Sequence, residues 1–215
     1  MVSRSEVSES TKSTDQLAGP SSKDFPDLRQ LRIAPLHSFF DCCIGRWAFE
    51  RTYHYLTQQR VERSHTDFEV APISPDLKRK VLADNQYAEP GDLEPLPGFR
   101  LKFHTVSETG EVVSQELRTV FVPQTQQGQI LTGDYLRDRA YEEDRPIVSD
   151  FRYDSQTREL LMTTRYTQIV SVDSITLINP NLRIRRIYNY QRPADGQPLE
   201  TMLLVGFGVE QKQSP

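Results

Sequence analysis

The chain has 215 residues, a formal net charge of -4 and a sequence pI near 5.6. This length fits one domain with an extension, or two small domains. The acidic balance argues against a general nucleic-acid-binding protein, and no apolar run reaches the roughly 18 residues of a membrane-spanning helix. The two cysteines, Cys42 and Cys43, are adjacent and form neither a disulfide framework nor a CxxC metal pair, which favours a reducing compartment.

Residues 1–35 have low hydrophobicity, many serines and threonines, and several prolines. This composition predicts a disordered arm, because it offers too little apolar surface to offset the entropy of ordering the chain. The arm contains no apolar segment of a secretory signal, and its acidic residues argue against a transit peptide. Two functions are open for it: a dispensable tail, or a tether to a partner. We expect the folded domain to span residues 36–211.

The first elements after the arm change from a helical to a strand pattern. An apolar run at 37–44 predicts one or two helical turns before a glycine. From Trp47, large side chains alternate with smaller or polar ones, a period of two that predicts a strand with an aromatic face. A second strand is predicted over 63–70, a short capped helix over 77–82, and a loop rich in proline and glycine over 85–98.

The rest of the chain is a series of short strand-like runs separated by turn signals. They lie near 99–106, 112–122, 129–137, 147–154, 159–170, 173–178, 182–191 and 200–210. Many short strands joined by hairpin-length turns predict an all-β antiparallel sandwich or barrel. About ten strands favour a closed barrel, and a barrel of eight or more strands can hold one small ligand.

One hairpin carries the most informative charge pattern. If Ile178 pairs with Leu182, then Asp173, Arg183 and Arg185 project from a single, otherwise apolar face. Such a face indicates a binding site, because arginine forks bind carboxylates through two hydrogen bonds. The alternative is an exterior ladder of salt bridges, and a pairing shifted by one residue would separate Asp173 from the arginines.

Other catalytic signatures do not stand out in the sequence. We find no nucleophile elbow, no phosphate-binding glycine loop and no metal cluster, and the four histidines lack ligand spacing. Gly45-Arg46-Trp47 opens the first strand and resembles the Gly-x-Trp signature of lipocalin and calycin barrels, in which the tryptophan plugs the barrel floor. The alternative is a core tryptophan without meaning for the family.

Several segments occur together in the order and spacing of one known family. They are Ser38-Phe39-Phe40, Gly45-Arg46-Trp47, Arg51-Thr52-Tyr53-His54, Leu136 to Glu142 with Arg145 to Ser149, Met162 to Tyr166, and Asn179 to Arg185. Together they resemble the S-type chromophore lyases of phycobiliproteins, the CpcS/CpeS family. The resemblance implies a ten-stranded calycin barrel with one or two short helices. It also implies that the protein binds an open-chain bilin without covalent attachment and joins it through a thioether to a cysteine of a phycobiliprotein subunit.

The resemblance carries over to individual residues. It implies Asp173 as the catalytic acidic residue, and Arg51, His54, Arg183 and Arg185 as bilin-binding residues. Because Arg51 and His54 are three positions apart, a regular strand sends them to opposite faces unless a bulge intervenes. Of the two, we expect Arg51 to line the pocket.

The resemblance further implies the substrate and partners. The bilin would be phycocyanobilin or phycoerythrobilin, used as substrate, and the protein would need no cofactor of its own. Its partner would be a phycobiliprotein apo-subunit, and it could form a homodimer or a heterodimer with a related lyase. The compartment would be the cyanobacterial cytosol or the plastid stroma.

Two other functions are compatible with the same barrel. One is a carrier or assembly factor that binds a bilin or a lipid without joining it to a protein. The other is a structural interaction protein whose barrel is filled by its own side chains. A carrier would bind bilin and leave the acceptor subunit unlabelled, whereas a filled barrel would bind no bilin.

Overall fold

Ten antiparallel strands close into one barrel in the computed structural model, which describes residues 27–88, 91–138 and 147–214. The strands are β1 (Gly45–Tyr55), β2 (Arg60–Pro72), β3 (Gly98–Ser107), β4 (Val112–Gln127), β5 (Ile130–Arg137), β6 (Ile147–Asp154), β7 (Glu159–Arg165), β8 (Ile169–Asn179), β9 (Leu182–Gln191) and β10 (Met202–Lys212). Each strand pairs with its neighbours in sequence, and β1 pairs with β10 to close the sheet. The predicted all-β, ten-stranded barrel is therefore confirmed.

A helix covers the end of the barrel at which β1 begins. This helix, α1 (Ala34–Cys43), has Pro35 in its first turn, where a missing N–H costs no hydrogen bond. Phe40 packs against Phe99 and Phe121, with ring centroids 4.5 and 4.7 Å apart. The helix extends further towards the N-terminus than the predicted run at 37–44, and its buried aromatic face forms a floor under the barrel.

The predicted barrel-floor tryptophan lies where the sequence motif suggested. Trp47 is 1% exposed, and its indole Nε1 donates to the backbone oxygen of Cys43 at 2.9 Å. This hydrogen bond connects the first residues of β1 to the end of α1. Trp47 also stacks on Phe68, with ring planes 10° apart, so two aromatic rings from neighbouring strands close the lower part of the barrel.

The second predicted helix lies on the outside of the barrel. It is α2 (Pro75–Asp84), and Ser74 caps it by accepting a hydrogen bond from the backbone N–H of Leu77 at 3.4 Å. Val81 and Leu82 are buried against β4 and β5, where they form a hydrophobic cluster separate from the barrel interior. This packing covers the outer face of two strands.

One predicted strand is two strands in the structure. The run at 159–170 contains the whole of β7 and the start of β8, separated by a tight turn in which the backbone N–H of Tyr166 donates to the oxygen of Ile169 at 2.9 Å. Tyr166 is buried and packs against Ile147. Apolar residues occur in the sequence both before and after this turn. The hydrophobic pattern therefore does not show that one strand ends and another begins here.

Part of the predicted arm lies against the barrel. Residues 1–26 are outside the described residues, as are residues 139–146 of a charge-rich segment. Residues 28–30 form a 3-10 turn, and the backbone N–H of Arg32 donates to the side chain of Gln126 at 2.7 Å. Leu31 and Ile33 pack against the core beneath α1, so the fold begins before residue 36.

Candidate functional site

A cavity of about 610 Å³ occupies the barrel interior above α1. Its lining is rich in aromatic side chains, including Phe49, Phe68, Phe103, Phe121, Tyr53 and Tyr135. At the opposite end from α1 the lining becomes charged, with Arg60 and Glu62 near the start of β2. The barrel is therefore hollow, which excludes the alternative of an interior filled by its own side chains.

Two glycines of β10 leave space for the aromatic side chains of β1. Gly206 and Gly208 lie in register with Tyr53 and Arg51 of β1. A Cβ atom on Gly208 would lie 2.5 Å from Cε2 of Phe49, and one on Gly206 would collide with the ring of Tyr53. The two glycines thus allow the rings of β1 to lie flat against the wall of the cavity.

The β8–β9 hairpin places the predicted charged residues inside the cavity. The observed pairs are Asp173–Ile187, Ile175–Arg185 and Leu177–Arg183. Asp173, Arg183 and Arg185 all line the cavity, so the predicted shared interior face is confirmed and the exterior salt-bridge ladder is excluded. Near the turn the pairing shifts: Asn179, rather than Ile178, pairs with Leu182. This bulge changes no residue of the inward face.

Asp173 and Arg185 hold each other through two hydrogen bonds. Nε of Arg185 donates to Oδ1 of Asp173 at 2.9 Å, and Nη2 donates to Oδ2. Burial is the largest single effect and lowers the pKa of Arg185, but the Asp173 carboxylate, together with Glu210 and Tyr53, raises it, so the net shift is upward. Arg185 is therefore a permanent cation, and both carboxylate oxygens of Asp173 face a donor.

Arg183 has a different acidic partner, which the sequence did not suggest. Glu210 lies directly opposite it on β10, and Nη2 of Arg183 is 2.6 Å from Oε2 of Glu210. Glu210 is 0% exposed and Arg183 is 3% exposed. The guanidinium also lies 4.1 Å from the centroid of Trp47. Arg183 is thus held at the barrel floor by an ion pair and a ring face.

Arg51 is a cavity cation with neutral partners. Its Nε donates to Oγ of Ser64 at 2.7 Å, and its Nη2 donates to Oγ1 of Thr105 at 3.3 Å. The guanidinium carbon lies 4.9 Å from the ring centroid of Tyr53. Within residues 27–88, 91–138 and 147–214, no carboxylate lies at ion-pair distance from Arg51. The predicted placement of Arg51 in the pocket agrees with this geometry.

The structure does not bring His54 to the cavity. The pairing of β1 with both neighbours is continuous from Trp47 to Tyr55, so no bulge turns the histidine inwards. Its ring stacks on Phe207 on the outer surface, with centroids 5.9 Å apart. The three-residue spacing from Arg51 sends the two side chains to opposite faces, as a regular strand requires.

The phenol and thiol groups of the cavity are neutral near pH 7. Burial raises the pKa of Tyr53 and of Tyr135, so both hydroxyls keep their protons. Burial also raises the pKa of the Cys43 thiol, which lines the cavity beside Arg183. Since the thiolate is the nucleophile, Cys43 is a poor candidate for a reacting group.

A family model that describes CpeS-like proteins matches residues 36–213. The chain belongs to this family. The chromophore lyase CpcS/CpeS 1 of Synechococcus sp. (strain JA-3-3Ab) is 60% identical over 180 residues, which cover 84% of this chain and 97% of that protein. The chromophore lyase CpcS/CpeS of Thermosynechococcus vestitus is 29% identical over 153 residues, covering 70% of this chain and 81% of that protein.

The fold of this CpeS-like protein is also that of a solved relative. The S-type phycobiliprotein lyase CPES from Guillardia theta superposes with a TM-score of 0.65, at 16% sequence identity, over 84% of this chain and 93% of that chain. At this identity the likeness concerns the barrel fold alone.

Two functional candidates in the CpeS-like barrel were missed by sequence reasoning. Glu210 lies on the buried face of β10. Phe207 and Val209 lie on its exposed face, so the alternation of apolar residues indicated the opposite direction for Glu210. Arg137 lines the upper cavity, where its Nη2 donates to the hydroxyl of Tyr166 at 2.9 Å. Its position at the end of a charge-rich run concealed the inward direction of its side chain.

The described residues contain no group of three or more histidine, cysteine, aspartate or glutamate side chains arranged to hold a metal ion. Within the same residues, no helix has the length and apolarity needed to cross a membrane.

Proposed function

We propose that this CpeS-like protein is a chromophore lyase that binds an open-chain bilin inside its barrel and joins it through a thioether to a cysteine of a phycobiliprotein subunit. The observation that carries this function is an aromatic cavity that contains a partly buried carboxylate, Asp173, and a cation with neutral partners, Arg51. The relative at 60% identity, itself named a chromophore lyase, supports the same activity.

The cavity suits a flat, conjugated ligand. A bilin is an open-chain tetrapyrrole with two propionates. The volume of about 610 Å³ lies within the roughly 300–1,000 Å³ of small-molecule sites. Tyr53 and Tyr135 offer ring faces to stacked pyrroles, and their protonated hydroxyls can donate hydrogen bonds to ring carbonyl groups.

Arg51 is the best candidate to bind a propionate. A guanidinium binds a carboxylate through two parallel hydrogen bonds, and the described neighbours of Arg51 are hydroxyls rather than acids. Arg183 was expected to do this, but its ion pair with Glu210 already occupies it at the floor. We therefore assign the propionate to Arg51 and the closure of the floor to Arg183.

Asp173 is placed to stabilise the protonated bilin. A carboxylate near pyrrole nitrogens favours the cationic form of the conjugated system. The positive charge makes the ethylidene-bearing ring a better electrophile. The thiolate of the acceptor cysteine adds to the ethylidene carbon, a C–S bond forms, and the π electron pair moves into the tetrapyrrole and neutralises its charge. No group leaves in this addition.

The contribution of the barrel is mainly orientation and exclusion of water. The bilin is held at one angle by the aromatic walls and Arg51, so addition of the acceptor thiolate to the bilin becomes an oriented reaction between two bound partners. His54, on the outer surface, has no part in this arrangement. Cys43 has none either, because the nucleophile belongs to the acceptor subunit.

The proposal also specifies the substrate, the oligomeric assembly and the cellular compartment. The bilin is phycocyanobilin or phycoerythrobilin, the acceptor is a phycobiliprotein apo-subunit, and the lyase pairs with itself or with a related lyase. The reaction takes place in a cyanobacterial cytosol or plastid stroma. Co-expression with each bilin pathway and each acceptor subunit identifies the substrate and the acceptor, and light scattering measures the mass of the lyase assembly.

A transfer assay tests the activity. The purified protein is loaded with bilin and mixed with an apo-subunit, and the denatured product is examined by zinc fluorescence on a gel. We expect a fluorescent acceptor band with the absorption of a thioether-linked bilin. Bilin binding without a labelled acceptor would indicate a carrier, and no bilin binding would contradict the proposed cavity function.

A further inference from the structure

Glu210 is a wholly buried carboxylate, and neither of its oxygens accepts a hydrogen bond from the described residues. Its Oε2 forms an ion pair with Nη2 of Arg183 at 2.6 Å, without the geometry of a hydrogen bond. Its Oε1 is buried and accepts no hydrogen bond from the described residues. A buried charge that lacks hydrogen bonds is costly, so the unused acceptors of Glu210 need a physical reason.

A second arginine, Arg185, lies close to Oε1 of Glu210. Nη1 of Arg185 lies 3.6 Å from Oε1 of Glu210. A charge-assisted hydrogen bond needs about 2.8 Å, so a shift of roughly 0.8 Å would complete it. The same arginine is engaged by Asp173 through Nε and Nη2. Arg185 therefore lies between two carboxylates, bonded to one and close to the other.

Bilin binding changes the balance between these two carboxylates. A protonated bilin next to Asp173 brings a second positive charge to a carboxylate that already faces a guanidinium. Like charges repel strongly inside a barrel of low dielectric, so the two cations compete for Asp173. Arg185 can leave Asp173 without losing an ionic partner only if another carboxylate is within reach, and Glu210 is.

We propose that Glu210 is a positioning residue that receives Arg185 when Asp173 turns to the protonated bilin. This inference rests on the proposed function, because it concerns the bilin-bound state. Glu210 touches no reacting atom and acts through Arg185. Its place on β10, directly opposite Arg183, keeps it at the floor while Arg185 moves between its two partners.

The structure of the bilin complex of the full chain is the direct test. We expect Arg185 within about 3.0 Å of Oε1 of Glu210, with its bonds to Asp173 broken and a pyrrole nitrogen in their place. A complex in which Arg185 remains bonded to both oxygens of Asp173 overturns the inference and leaves the proposed function intact. A chain that binds no bilin overturns both.

A double-mutant cycle tests whether Glu210 affects the bound bilin through Arg185. The pKa of the bound bilin is read from its absorption during a pH titration. Glu210→Gln should lower this pKa by about one unit in the wild-type background. In the Arg185→Gln background the same change should have a much smaller effect, because Arg185 is no longer there to move to Glu210. Equal shifts in both backgrounds would mean a through-space effect of the Glu210 charge and would contradict the positioning role.

The cycle has a matched control on the outer surface. Glu69→Gln removes the same charge from a carboxylate that pairs with Arg100 outside the barrel, and it should leave the pKa of the bound bilin unchanged. Should Glu210→Gln fail to fold, the structure of the unmodified bilin complex decides the matter alone.

Discussion

Arg183 and Glu210 form an ion pair between directly opposed positions of β9 and β10, with Nη2 and Oε2 2.6 Å apart and Glu210 completely buried. The pair lies beneath the cavity, with the ring of Trp47 against the guanidinium. Because each charge depends on the other for compensation, the pair fixes the register of two strands and closes the floor of the barrel.

Removing one partner of this pair should destabilise the protein strongly. Arg183→Met leaves the buried carboxylate of Glu210 with only the more distant Arg185, and we expect a loss of about 3–5 kcal/mol in the free energy of unfolding. The combined change Arg183→Met with Glu210→Leu should recover most of this loss, because neither charge of this buried pair remains. Urea unfolding of the three proteins measures the effect. Additive losses in the double variant would contradict the coupling of the pair.

Arg51 should matter for binding and little for folding. Arg51→Gln removes the charge expected to hold a propionate, and we expect bilin binding to weaken by about 1.5–3 kcal/mol, the value of a hydrogen bond to a charged group. The dimethyl ester of the bilin should bind to wild type and variant equally well. Arg100→Gln, on the outer face, is the matched control. Equal weakening for acid and ester would exclude a carboxylate partner.

Cys43 should be chemically inert. Burial raises the pKa of its thiol, so at neutral pH it reacts slowly with iodoacetamide, while the partly exposed Cys42 reacts faster. Mass spectrometry of the labelled peptide measures both rates. Cys42→Ala with Cys43→Ala should retain bilin transfer, because the nucleophile belongs to the acceptor. Loss of transfer in a folded double variant would place a reacting thiol in the lyase itself.

His65 should make a small, pH-dependent contribution to stability. Its hydrogen bond with Glu50 raises the pKa of the histidine above its ordinary value of 6.5, with support from Asp67. A raised pKa in the folded state means stabilisation that is complete below about pH 6.5 and is lost as the pH rises through the folded pKa. Because the groups are exposed, we expect less than about 1 kcal/mol.

The measurement compares wild type with His65→Gln. The stability difference should be larger near about pH 5 than near about pH 8, and added salt should reduce it. Glu69→Gln, which pairs with Arg100 rather than His65, should show no such trend. A difference that grows with pH would contradict the assigned ion pair.

The face shared by Asp173, Arg183 and Arg185 could be predicted because a short turn joins β8 to β9. Strand period two and a turn of known length fix which residues oppose each other, and a bulge beside the turn did not disturb the inward set. The barrel itself followed from the number of strands. The hairpin is local in sequence, and counting strands requires no knowledge of long-range pairing, so one sequence is enough to reveal both.

The partners of these residues could not be predicted in the same way. The connection between β9 and β10 runs from Gln191 to Met202, too long to fix a register, and the pairing shifts between Met202 and Leu204. Glu210 therefore could not be aligned with Arg183 from sequence. The neutral partners of Arg51 come from β2 and β3, and only the closed barrel brings them together.

Asp173 is at the centre of the proposed chemistry, and the rate of bilin transfer by Asp173→Asn tests it most directly. The change removes one charge with little change in volume, and Asp150→Asn makes the same change in an ion pair with Arg165 on the outer face. We expect Asp173→Asn to retain much of the bilin binding, to shift the bilin absorption to shorter wavelength, and to slow transfer at least about tenfold. Asp150→Asn should transfer at the wild-type rate. Wild-type spectra and transfer rates in Asp173→Asn would contradict the role of this carboxylate and the site built around it.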